Sequence, residues 1–428
     1  MPASRNPLAL CLAACLLLAA CSDEGPKPRN LILFVPDGLR AMQVNAEAAP
    51  TLAALRDRGV NFANPHALFP TFTMPNASGM ATGHYLGDTG TFSNTIFTGY
   101  PVAPAGGSMT PFIENDPVLG DIDVHFAGDY LNETTILNAA RARGFSTAQI
   151  GKLGPTLQFD HTERSGERTI TIDDSTGSAA GIPLSEPVKA ALAAAGLPLA
   201  APTRGDNGKA GDAKTPGTIV ANVTQQAYFA DVAAKVVLPM FKARKQPFLL
   251  MFWSRDPDGT QHNQGDSLLS VTPGINGPTS LAAVKNADNN LKQLMNALRD
   301  LGLAETTDIV IAADHGFECS PHRDCAGNQD QRVNAGSCDG KAWLEGRWPD
   351  WTRYAKHNIR ADQPGKKHRL RAEKNKHGEP SVAGNGHVGM HRRRRRITAA
   401  ECRLFLLDCW RLIESSCGGR FCHGSSME

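Results

Sequence analysis

Cysteine is missing from most of the chain: of ten in 428 residues, none lies between Ser22 and Glu318. That gap excludes a disulfide framework as the source of stability and suits an exported bacterial protein built without cross-links. Long hydrophobic runs are also scarce. The one near a terminus, Leu8 to Ala20, is too short to cross a bilayer as a stable helix. No internal repeat is visible, so a repeat architecture is set aside. The net charge of +2 selects no class of partner.

What is present is unevenly distributed. Residues 319–428 hold 21 Lys and Arg against 12 Asp and Glu, while the rest of the chain holds 23 against 30. The same last quarter carries seven of the ten cysteines, four of the five tryptophans and five consecutive arginines at 392–396. The composition as a whole, 41% hydrophobic and 20% charged, is that of a globular protein. The length allows one large α/β domain or two ordinary ones.

Arg5 followed by the apolar run and then Leu18-Ala19-Ala20-Cys21 has the order of a secretory leader. Small residues running into a cysteine resemble a bacterial lipoprotein box. Residues 1–20 are then a signal peptide, Cys21 the lipidated first residue and 21–29 a polar tether. Ser22, in place of Asp, directs such a protein to the outer membrane, with the body on the periplasmic face. The alternative is an ordinary signal peptide cleaved nearby.

In the body, Asn30 to Val35 is apolar without alternation and reads as a buried parallel strand stopped by Pro36-Asp37-Gly38. Helices are expected at Pro50–Arg58, Met74–Thr82, from the Asn132-Glu133-Thr134 cap to about Arg143, Thr218–Phe241 and Leu281–Leu301. Further strands are expected at Phe145–Ile150, Pro247–Trp253 and Asp308–Ala313. Residues 155–215, rich in Gly, Pro, Ala and Thr, read as an insertion covering a site, within a cap spanning about 95–215. The alternation predicts an α/β fold, a mostly parallel sheet with helices on both faces.

Four strand-end or loop segments carry chemistry-bearing residues: Asp37, Thr73, Asp258 with His262, and Asp314 with His315. Any one of them reads equally well as a turn or helix-cap residue. Together they supply three carboxylates, two imidazoles and a hydroxyl, the donor set of a zinc pair beside a nucleophile. In a parallel sheet such ends converge on one rim.

At this point the residues resemble the alkaline phosphatase superfamily, most closely its nucleotide pyrophosphatase/phosphodiesterase branch. The matching stretches are ILFVPDGLR (32–40), APTLAALRDRGVNFAN (49–64), FPTFTMPNASGMATGHYLGDTG (69–90), SRDPDGTQH (254–262) and IVIAADHGF (309–317). The resemblance implies two Zn2+ ions: Asp37, Asp314 and His315 as ligands of one, Asp258 and His262 of the other, with the Thr73 oxygen also in the metal site. It implies Thr73 as nucleophile, in a Thr-x-Pro-Asn element, and Asn94 as an amide donor to a phosphoryl oxygen. Lys152 is a further candidate for contacting the phosphoryl group; a solvated lysine in a glycine-rich turn is the alternative. The implied substrate is a small phosphate ester or nucleotide, with a phosphodiester ahead of a phosphomonoester and no nucleic-acid partner. Sulfatase chemistry is disfavoured, because Thr73 cannot become formylglycine and no Arg stands at 77.

The family pattern breaks after Phe317. The second zinc lacks its expected late histidine; His387, in Gly-Asn-Gly-His-Val-Gly, is the nearest candidate and His391 a weaker one. Residues 319–428 read as an out-of-frame tail, a small zinc-binding module (Cys319, His322, Cys325, Cys338) or a basic arm. With an incomplete second site, an inactive, lipid-anchored remnant of the fold is the non-enzymatic alternative.

Overall fold

A strand with no polar face must be covered on both sides, and β1 (Asn30–Pro36) is buried along its whole length. The computed structural model describes residues 28–211, 216–267 and 273–317. After β1 come α1 (Pro50–Arg58), α2 (Thr73–Thr82), α3 (Asp116–His125), α4 (Ile136–Ala142), β2 (Ser146–Gly151), β3 (Thr169–Asp173) and α5 (Glu186–Ala194). Then come α6 (Val223–Val232), α7 (Leu238–Arg244), β4 (Phe248–Ser254), α8 (Pro278–Asp300) and β5 (Thr307–Ile311). The five strands form one sheet in the order β3-β2-β4-β1-β5, every pair parallel.

The period-2 geometry of β1 divides its side chains between two cores. Ile32 and Phe34 pack with Val188 and Leu192 of α5, Phe229 of α6, Phe241 of α7 and Leu291 of α8. Leu31, Leu33 and Val35 pack with Ala77 and Ala81 of α2 and Leu137 and Ala140 of α4. A third cluster joins Met74 of α2 to Val102, Ile113, Leu119 and Leu157, pinning the segment after α2 against that helix's first turn. Helices thus cover both faces of the sheet, which leaves its C-terminal edge as the rim where loops meet.

Several elements depart from the sequence expectation. The span from 95 to 215 is not a cap throughout, because α4, β2 and β3 lie inside it and both strands belong to the central sheet. β3 (TITID) alternates. Ile170 and Ile172 enter the core. Its threonines are satisfied against β2, through a 2.7 Å contact between the Thr147 and Thr169 hydroxyls and a 2.9 Å hydrogen bond from Gln149 Nε2 to Thr171 Oγ1. Helix α4 begins after Thr135, whose hydroxyl accepts the Asn138 N–H at 3.4 Å, not at Asn132–Thr134. The helix expected from Thr218 begins at Val223, because Thr218 is held in a parallel bridge to Gln264. The leader, Cys21, the tether as far as Lys27, His387, His391 and the tail from 318 lie outside the described residues. Among the described residues no helix is long and apolar enough to cross a membrane.

Candidate active site

The turn after β1 is the centre of the rim. Asp37 is fully buried, and its backbone N–H donates to Ser254 O at 3.0 Å, extending the β1–β4 ladder by one step. Its carbonyl accepts the Asp258 N–H at 3.0 Å, and the neighbouring Gly38 N–H donates to Asp314 Oδ1 at 3.0 Å. Gly38 has φ +66°, and a Cβ there would lie 2.9 Å from Asp258 Cβ, so this close approach requires glycine. One turn thereby fixes aspartates from β1, β4 and β5.

Asp37 and Asp314 each have one oxygen hydrogen-bonded, and Asp258 has one facing an ammonium. Asp37 Oδ2 accepts from Lys152 Nζ at 2.8 Å and from Trp253 Nε1 at 2.9 Å. Asp314 Oδ1 takes the Gly38 N–H, and Asp258 Oδ2 lies 3.6 Å from Lys152 Nζ. The other oxygens, Asp37 Oδ1, Asp258 Oδ1 and Asp314 Oδ2, are buried and accept no hydrogen bond from any described residue. His315 Nε2 stands 3.6 Å from Asp37 Oδ1 and 3.3 Å from Asp314 Oδ2. Its Nδ1 lies 2.6 Å from Gly316 O; a carbonyl only accepts, so the proton is on Nδ1. His262 Nε2 stands 3.2 Å from Asp258 Oδ1.

Buried polar atoms are almost always paired, and each unpaired one costs about 1–3 kcal/mol, more when charged. Two such oxygens beside His315 Nε2 and a third beside His262 Nε2 therefore fit a cation. Ligand atoms of Asp37, Asp258 and His315 lie within 4.8 Å of one another, close enough to share an ion. The titration behaviour agrees. Burial, then the charge of Asp37, pushes the Asp314 carboxyl up to about 8. Burial would lower His315, but Asp314, Asp258 and Asp37 raise it to about 9. Asp258 is also buried, yet His262 and Lys152 hold its carboxyl below the ordinary range. A site of this kind is strained without positive charge and relaxed with it.

Thr73 is the first residue of α2 and does not cap it; the N-cap is Phe72, without a side-chain hydrogen bond. Its hydroxyl lies 3.2 Å from His315 Nε2 and 3.4 Å from Lys152 Nζ. Asn76 clamps the preceding loop, accepting the Leu68 N–H at 2.7 Å and donating to Phe72 O at 2.9 Å. Asn94 Oδ1 accepts the Met74 N–H at 2.9 Å. An N–H only donates, so the amide oxygen faces the helix and the NH2 is the end left to donate.

Lys152 follows β2 and is buried, not solvated. Burial would lower its pKa, but Asp37, Glu114 and Asp258 raise it above the ordinary lysine value. Its loop is tied down through Asp174, which accepts the Leu153 N–H at 2.8 Å and pairs with Arg255 Nη2 at 2.8 Å.

Asp37, Thr73, Asn94, Lys152, Asp258, His262, Asp314 and His315 thus meet at one rim. Sequence reasoning missed Trp253 and Glu114. Trp253 had a partial signal, since it ends the apolar run PFLLMFW five residues before Asp258, but its register opposite Val35, two residues before Asp37, is set by the fold. Glu114, 3.5 Å from Lys152 Nζ, lies in no motif.

A family model described as type I phosphodiesterase / nucleotide pyrophosphatase matches residues 31–386. No curated protein matches the sequence. Among solved structures, murine ectonucleotide pyrophosphatase/phosphodiesterase 5, an inactive variant in complex with AMP, is similar at 16% identity and TM-score 0.41, covering 69% of this chain and 59% of that one. Phosphonoacetate hydrolase from Sinorhizobium meliloti 1021 in complex with phosphonoacetate is similar at 18% identity and TM-score 0.41, covering 68% and 57%. The chain therefore spans less than two thirds of the length of these structures.

Proposed function

The chain belongs to the type I phosphodiesterase / nucleotide pyrophosphatase family, and from that premise we propose that it hydrolyses phosphoric esters at the β1–β4–β5 rim, with Thr73 as nucleophile. The observation that supports this most is the Thr73 hydroxyl 3.2 Å from His315 Nε2, beside three buried carboxylates that each keep one oxygen without a hydrogen bond from any described residue. The cofactor in this reading is a pair of zinc ions, because carboxylate and imidazole donors in one small space suit that metal. Asp37, Asp314 and His315 would hold one ion; Asp258, which also lies within reach of Asp37 and His315, would hold the other with His262, with His387 as its further candidate ligand. Divalent cations bound there would lower the pKa of a nearby hydroxyl and favour negative charge on the leaving oxygen.

The chain's own groups account for the rest. Thr73 Oγ gives up its proton and attacks phosphorus in line with the leaving oxygen; the ester P–O bond breaks, the departing alkoxide takes up a proton, and a phosphoester on Thr73 forms. Water then attacks that phosphorus, releasing phosphate or its monoester and restoring the hydroxyl. Asn94 donates its NH2 to a non-bridging oxygen, and Lys152 adds positive charge beside it. The preferred substrate is a small phosphodiester or nucleotide. A phosphomonoester is the second reading, favoured by the Lys152 ammonium 3.4 Å from Thr73 Oγ1, since a dianion gains more from an added cation. The body works on the periplasmic side, held at the outer membrane through Cys21.

The test is zinc content per chain together with turnover of bis-p-nitrophenyl phosphate and p-nitrophenyl phosphate. Thr73→Ala is expected to lower both turnovers by about a thousandfold or more while leaving zinc content near wild type. Turnover retained in that variant rejects Thr73 as nucleophile.

A further inference from the structure

Among the described residues Lys152 has three acidic neighbours: Asp37 at 2.8 Å, Glu114 at 3.5 Å and Asp258 at 3.6 Å. Two of these belong to the cluster that fits a cation, and only Glu114 stands outside it. Cations on Asp37 and Asp258 would repel the ammonium and compete for the same oxygens. In the loaded site Glu114 is the acidic neighbour left to hold Lys152 in place.

The position of Glu114 is itself tightly set. Its predecessor Ile113 donates its N–H to Asn94 O at 2.9 Å. Its successor Asn115 caps α3, accepting the Val118 N–H at 3.1 Å. On the other side the Lys152 loop presses against it: Gly154 has φ +93°, and a Cβ there would lie 2.5 Å from Glu114 Cα. Glu114 therefore joins the two non-metal groups aimed at a phosphoryl oxygen, Asn94 through the backbone and Lys152 through its carboxylate.

We propose that Glu114 is a positioning residue that retains the Lys152 ammonium beside Thr73 and so sets how tightly the site grips a phosphoryl dianion. This rests on the phosphoryl reading of the site, though its test needs no turnover. The probe is inorganic phosphate, titrated calorimetrically into the zinc-loaded full chain. Glu114→Gln, which keeps the shape and removes the charge, is expected to weaken phosphate binding about tenfold in the wild-type background and less than about twofold in a Lys152→Met background. Zinc content stays at the wild-type level in each variant. Gly154→Ala, which forces the Glu114 backbone away, is expected to give the same loss and keeps the test usable if the first variant folds poorly. Equal weakening in both backgrounds, or no phosphate binding by the wild type, overturns the proposal. Should the cycle appear in a protein that turns over neither ester, the hydrolase reading fails and the role of Glu114 stands.

Discussion

Replacing Asp314 with Asn should make the metal-free protein more stable and the metal-loaded protein less so. Asp314 is buried, its Oδ1 takes the Gly38 N–H, and its Oδ2 accepts no hydrogen bond from any described residue. Asn keeps the shape and the acceptor and removes the charge. In the folded chain burial and Asp37 push this carboxyl from 3.8 to about 8. A carboxyl whose folded pKa lies above its unfolded value binds its proton more tightly when folded, so stability falls as pH rises from about 4 to 8 and is flat above. Sharing of charge with Asp37 and His315 reduces what one substitution recovers, so the expected gain is on the order of 1 kcal/mol, or roughly 2 °C in Tm for a body of this size. His315, raised to about 9, adds to the trend: its stabilising charge is complete below about 6.5 and lost through 9. The assay is thermal unfolding in chelator across pH 4–9, repeated with zinc. The expected result is a variant Tm that matches wild type near pH 4, exceeds it by pH 8, and gains less than wild type on adding zinc. A variant destabilised equally at every pH would show that the carboxyl carries no electrostatic strain, and the case for a cation between the aspartates would fall with it.

Trp253→Phe removes the donor to Asp37 Oδ2 and should weaken zinc binding about 10- to 100-fold, read from competition with a chromogenic chelator; unchanged affinity would show that the indole does not orient Asp37. Lys152→Met should lower kcat/KM for p-nitrophenyl phosphate at least about tenfold more than for bis-p-nitrophenyl phosphate, because the dianion loses more from a missing cation; equal losses on both esters would remove the monoester reading.

The legible parts of this protein are those with a one-dimensional signature. NLILFV and FLLMFW are continuous apolar runs, and both are strands buried on both faces. Asp37, Asp258 and Asp314 sit just past such runs, where a parallel sheet gathers its loops. β3 escaped notice because its polar residues are paid for out of sight: TITID looks exposed on alternate positions until Thr169 and Thr171 meet Thr147 and Gln149 of β2. The helix starts shifted for a similar local reason. Thr135, not Asn132, turns its hydroxyl to the helix, and no propensity separates those two choices.

The site follows the same division, and the sheet order explains it. Reading across β2, β4, β1 and β5, the residues beyond each strand are Lys152, Asp258, Asp37 and Asp314. Neighbouring strands lie about 4.8 Å apart, so four of them spread such residues over roughly 14 Å unless the loops curve inward. They curve because the loops after β4 and β5, the two strands flanking β1, hydrogen-bond to the turn after β1, the Asp258 N–H to Asp37 O and the Gly38 N–H to Asp314 Oδ1. Those bonds leave no trace in the sequence except a glycine at 38, which resembles any turn glycine. Convergence onto one small volume is therefore a property of the Asp37-Gly38 turn and not of the aspartates, and the same turn brings in Trp253 and Lys152 through the shared oxygen Asp37 Oδ2. Once one oxygen of Asp37 is committed to a lysine and an indole, the other faces His315 at 3.6 Å and accepts no hydrogen bond from any described residue, which is the arrangement a positive ion would complete.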